Sequence, residues 1–204
     1  MAFIDTIAAR DADTDVREMY ARQQAHYGYV PGYAKVFSHR PEVMRRWAEL
    51  QASIKRHMDK RRFELVTFAA AHELKSTLCS LAHGKVLAEL LSVDDVQSLA
   101  DGHAPGSLSG AEVAMVEFAR KVARDASAVT REDVQRLKSF GFSDAEVFDI
   151  VATAAARSFW TKVIESLGAE ADTRFGQIDG GLKQRLMVGR AVEFVDPERL
   201  VDPD

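Results

Sequence analysis

Apolar residues recur three and four positions apart along most of this chain, and two-residue alternation is nearly absent, which confines it to packed helices. Ala, Leu, Glu and Arg fill the intervening positions and are good helix formers. Punctuation then separates the helices. Val16, Met19 and Tyr20 share one face of a first helix that starts near Thr14 and is stopped by Gly28, a left-handed C′ residue. Tyr29 to Gly32 makes a turn, a short helical piece covers Tyr33 to Ser38, and Pro41 opens a helix through Met44, Trp47, Leu50 and Ile54 that ends near Asp59. From Arg61 the pattern runs through Phe63, Val66 and Phe68, breaks over His72 to Ser76 and resumes at Leu78, predicting two helices joined near Lys75. Ser92 with Asp95, Ser109 with Glu112, Thr130 with Asp133 and Ser143 with Glu146 each place an acid three residues after a capping hydroxyl and open four more. His103 to Ser107 reads as a loop, and Gly176 to Gly181 separates a long helix ending near Gly168 from a mixed tail. The expectation is all-α: a compact multi-helix single domain over 1–190, with 191–204 a partly ordered tail.

The 204 residues are 47% hydrophobic and 28% charged, as in soluble globular chains, which argues against disorder and against a membrane span. A net charge of −4 offers no cationic surface for a phosphate backbone, so nucleic acid is not an expected partner. The first twenty residues lack an apolar export segment, and a cytoplasmic location is expected. Cys79 is the single cysteine, which excludes an intramolecular disulfide and a Cys-rich zinc cage. Redox chemistry would have to recruit a second thiol from elsewhere.

Cys79 and His83 stand four apart, on one face of one helix. With Ser76 as N-cap, Cys79 falls in the first turn, where unpaired backbone N–H groups favour a thiolate. An antiparallel return after Lys75 can bring Glu64 to His83 or Cys79, to orient the imidazole or relay a proton. Blander readings stand beside this one. A lone cysteine is commonly a small buried hydrophobe. A metal site from His72, Cys79 and His83 lacks a fourth ligand, and the H-E-x-x-H pattern begun at His72 fails because position 76 is Ser, so neither metal nor cofactor is expected. Arg61 and Arg62 read as a solvated helix start. Trp47, Phe68, Phe118, Phe148 and Trp160 read as core or subunit-contact residues. Laying Glu64 over Glu146 also aligns Ala70 with Ala152 and Ser76 with Ser158, which either chance in Ala-rich helices or an internal repeat explains.

The segment from Arg62 through Glu64 and Ala69-Ala70-Ala71 to Ser76, Cys79 and His83 resembles the signature of the carboxymuconolactone decarboxylase and alkylhydroperoxidase D-like (AhpD-like) family. There a helix-borne Glu is followed, after eleven residues, by Cys-x-x-Cys-x-x-x-His. Glu64, Cys79 and His83 match three of the four positions, and Ser76 occupies that of the first Cys. Gly28 to Gly32 with Ser38 to Glu42, and Asp144 to Trp160 with Leu167-Gly168, are similar to the peroxidase-related branch, so the likeness spans most of 15–172.

The resemblance implies an AhpD-like helical-repeat fold assembled into dimers, trimers or hexamers. It implies a thiol-dependent peroxidase in which Cys79 attacks hydrogen peroxide or an organic hydroperoxide while Glu64 and His83 relay protons. Serine cannot form a disulfide, so the reductant would be a small thiol, another protein or a second subunit's Cys79. Two other readings are a lyase acting on a lactone acid through Glu64 and His83, and a helical oligomer without catalysis.

Overall fold

Side-chain caps set where the helices begin. The computed structural model describes residues 2–171, 175 and 177–190, and the regular structure among them is entirely helical. Among the described residues ten α-helices follow one another: α1 (Thr14–Tyr27), α2 (Gly32–Val36), α3 (Pro41–Lys55), α4 (Lys60–Glu73), α5 (Thr77–Leu90), α6 (Val93–Ala100), α7 (Gly110–Arg124), α8 (Arg131–Ser139), α9 (Asp144–Ser166) and α10 (Gly180–Leu186). Ser92, Ser109 and Thr130 each accept the backbone N–H three residues on, and Ser143 does the same for Glu146. All four capping expectations therefore hold, each worth about 1 kcal/mol. Gly28 ends α1 at φ 83°, as its position required.

Contacts divide the chain into two compact units, one of 51–161 with 178–190 and one formed by the described residues of 2–50 and 162–177. In the second, the Tyr20 hydroxyl donates to the Ile7 carbonyl at 2.8 Å and the Phe3 amide to that of Leu167 at 2.9 Å.

The first unit is organised around α4. Every residue from Phe63 to Ala71 is buried, so this helix has no solvent face and packs against both α5 and α7. Arg61 and Arg62 do more than open it: Arg61 pairs with Glu112 of α7, and Arg62 with Glu146 of α9 at 3.0 Å. Both side chains sit in the first turn of α4 and stay partly solvated, as expected, and they also tie that turn to neighbouring helices.

Two further expectations change. The tail after Gly181 contains a helix, α10, whose Leu182 and Leu186 are fully buried. Leu186 rests on Gly84 of α5, where a Cβ would come within 2.6 Å of Leu186 Cδ1. Phe68, Phe118 and Trp160 are core residues, whereas Phe148, of the same core-or-subunit-contact set, is 69% exposed on α9. Helix α3 ends at Lys55, four residues before Asp59, which caps α4 instead. The expected tail over 191–204 lies outside the described residues.

Candidate functional site

The corner between α4 and α5 is built by a Schellman closure. The Ser76 amide donates to the Ala71 carbonyl at 3.1 Å and the Lys75 amide to that of His72 at 3.0 Å, with Lys75 in the left-handed region at φ 55°. Chain direction reverses within three residues. Glu64, on the helix entering this corner, and His83, on the helix leaving it, consequently meet: Glu64 Oε2 lies 2.7 Å from His83 Nδ1. Their side chains are 8% and 18% exposed.

A carboxylate can only accept, so Nδ1 carries the hydrogen and Nε2 keeps its lone pair. Burial pushes the Glu64 carboxyl up, but the His83 hydrogen bond and the charges of His83, Lys55 and Arg157 outweigh it, and the net direction is downward. His83 is also lowered, by burial and by the Arg157 charge, against the pull of Glu64. At neutral pH the pair is therefore an ionised acid and a neutral imidazole with a free basic nitrogen.

Cys79 sits one turn before His83 on the same face of α5. Ser76 is the N-cap, as expected: its Oγ accepts from the Cys79 amide at 3.3 Å, and the serine is fully buried. Cys79 is buried too, at 3% exposure, yet its surroundings are not hydrocarbon. Arg157 Nη1 points at Sγ from 3.8 Å and Thr161 Oγ1 from 3.7 Å. Both belong to α9, and both are buried.

Sequence reasoning did not find these two residues. Their signal is a periodic one. Val147, Ile150, Ala154, Arg157 and Thr161 are spaced three and four apart and all buried, so a cation occupies a core position of an apolar stripe.

His72 is not brought to this group. It lies on α4 two turns beyond Glu64, with its ring 5.5 Å from that of Phe68. No three side chains of metal-binding type converge among the described residues. Nor is any described helix long and apolar enough to cross a membrane.

No family model matches the chain, and no curated protein does. Solved structures do. An alkylhydroperoxidase AhpD core from Ralstonia eutropha JMP134, described as an uncharacterized peroxidase-related protein, aligns with a TM-score of 0.75 at 21% identity, over 85% of this chain and 94% of its own. A peroxidase-related protein from Silicibacter sp. TM1040 aligns at 0.67 and 19% identity, over 87% and 98%. The debrominase Bmp8 in complex with 2,3,4-tribromopyrrole aligns at 0.68 and 14% identity, over 91% and 98%. One fold thus carries more than one chemistry. These likenesses give the chain the all-α fold of AhpD-like, peroxidase-related proteins, the fold that its residues 64–83 resemble.

Proposed function

We propose that this chain is a one-cysteine, thiol-dependent peroxidase. The observation that carries the reading is the 2.7 Å hydrogen bond between Glu64 and a neutral His83, one helical turn from the only sulfur nucleophile. The Cys79 thiol gives its proton to His83 Nε2, and the thiolate attacks one oxygen of ROOH. As the O–O bond breaks, the leaving oxygen takes the proton back from His83, giving ROH and Cys79 sulfenic acid. An external thiol condenses with the sulfenic acid to a mixed disulfide and water. A second thiol releases the external disulfide and restores Cys79. Ser76 has no part in electron transfer, because its oxygen caps α5 and cannot enter a disulfide. External thiols of this kind belong to a reducing compartment, in keeping with a cytoplasmic homo-oligomer.

The test is peroxide consumption in the presence of dithiothreitol, for hydrogen peroxide and cumene hydroperoxide, with dimedone trapping of the sulfenic acid. The wild type should turn over and label at Cys79, and Cys79→Ser should do neither. Equal consumption by the two proteins sinks the proposal.

A further inference from the structure

Moving a proton from a thiol to an imidazole inside a protein creates two charges in a medium that penalises them, so the step needs counter-ions already in place. Around Cys79 they are. Before transfer the buried set holds one anion, the Glu64 carboxylate, and one cation, the Arg157 guanidinium. After transfer it holds two of each, arranged in opposed pairs. The imidazolium of His83 faces Glu64 at 2.7 Å, and the thiolate faces Arg157 Nη1 at 3.8 Å. Thr161 Oγ1 adds a neutral donor to the same sulfur at 3.7 Å, and the Ser76 cap fixes the turn that carries it.

We infer that Arg157 and Thr161 are catalytic residues of this site, a two-donor cradle from α9 that steadies the Cys79 sulfur once its proton has passed to His83. Neither residue is among the motif positions of 64–83, and both come from a helix far along the chain. The cradle does the electrostatic part of the work that a neighbouring thiol at position 76 could share, while leaving reduction of the oxidised sulfur to an external thiol. A guanidinium suits the role because its several N–H groups are fixed in one plane and its charge persists when buried. Burial at 5% exposure keeps water from screening the contact.

This inference rests on Cys79 being the nucleophile, but its test needs no peroxide. The chain has one cysteine, so alkylation by iodoacetamide at neutral pH reports on that sulfur alone. The rate is measured for the wild type and for Arg157→Met, Arg157→Gln, Arg157→Lys and Thr161→Val, with a thermal melt to establish that each is folded. Met and Gln fill the space without the charge, and each should slow alkylation about tenfold or more, the scale of a lost hydrogen bond to a charged group. Lys keeps the charge and should remain within about threefold of wild type, a rescue that mere space-filling would not give. Val at 161 should slow the reaction about threefold, through loss of one neutral donor.

A folded Arg157→Met that alkylates at or above the wild-type rate overturns the inference. So does Arg157→Lys as slow as Arg157→Met, or a wild-type Cys79 that reacts only when the chain is unfolded. If every Arg157 variant unfolds, Thr161→Val decides: an unchanged rate removes the cradle, and a slowed one retains it. Peroxide turnover is a separate readout, so the proposed activity and the cradle can fail independently.

Discussion

Replacing Glu64 by Gln tests the electrostatics of the site through stability alone. The substitution keeps the shape of the side chain and an oxygen that can accept from His83 Nδ1, but removes the charge. A hydrogen bond to a charged group is worth about 1.5–3 kcal/mol and a neutral one about 0.5–1.5, so the variant should be about 1–2 kcal/mol less stable at pH 7. Loss of the negative charge near Arg157 acts in the same direction. With a urea slope of about 2 kcal/mol per molar, the unfolding midpoint should fall by about 0.5–1 M.

The pH dependence is more discriminating than the neutral value. His83 is lowered in the fold, so the unfolded chain binds a proton first as pH falls below 6.5, and acidification destabilises both proteins. In the wild type the carboxylate opposes that loss by facing the imidazolium. In Glu64→Gln it does not, and the stability gap should widen between pH 7 and pH 5. Glu64 is lowered from 4.5, so its contribution is present above that value and is lost as pH falls through its folded value. Below that point the gap should close. Urea titrations of both proteins at pH 7, 5 and 3 should therefore give a gap that rises and then falls. A gap constant across the three, or absent at pH 7, refutes the reading of this pair as an ionised acid holding a neutral imidazole.

Two further substitutions probe the corner that brings the pair together. Ser76→Ala removes a fully buried N-cap and should cost about 1 kcal/mol, lowering the melting temperature by about 2–4 °C; an unchanged melt would mean the cap contributes nothing. Lys75→Gly relieves a left-handed backbone at an L residue and should stabilise by about 0.5 kcal/mol, net of the added freedom of the unfolded chain, and a lower melting temperature would contradict it.

Much of this fold is legible in the sequence because its helices announce their own ends. Hydroxyl caps, Gly28 and Pro41 act over three or four residues, and a local signal survives whatever the rest of the chain does. The Glu64–His83 contact is legible for a related reason, since a short reversal at Lys75 fixes which residues of α4 and α5 face each other. Arg157 and Thr161 are different. They lie 78 and 82 positions from Cys79, and nothing local says which helix covers the sulfur. Helix α10 escaped because its seven residues are too few to establish a period, and its burial depends on Gly84 having no side chain. For Phe148 helical spacing alone did not choose between core and subunit contact, since it does not say which stripe of α9 faces inward.

The weak alignment of Glu64 with Glu146 and of Ser76 with Ser158 shows how little residue identity settles without the backbone. Glu64 is buried mid-helix and holds an imidazole, whereas Glu146 sits in the first turn of α9, accepting the Ser143 amide at 2.8 Å and pairing with Arg62. Ser76 caps a helix at a corner. Ser158 lies inside an unbroken helix, its Oγ bonded back to the Ala154 carbonyl at 2.9 Å. The difference begins at Lys75, where a left-handed residue ends α4, while the equivalent stretch of α9 continues straight through. A bend at that point exposes the N–H groups of a new helix to a cysteine in its first turn and folds a carboxylate back onto its histidine. An unbroken helix can do neither, and α9 instead delivers the charge that the bent pair lacks.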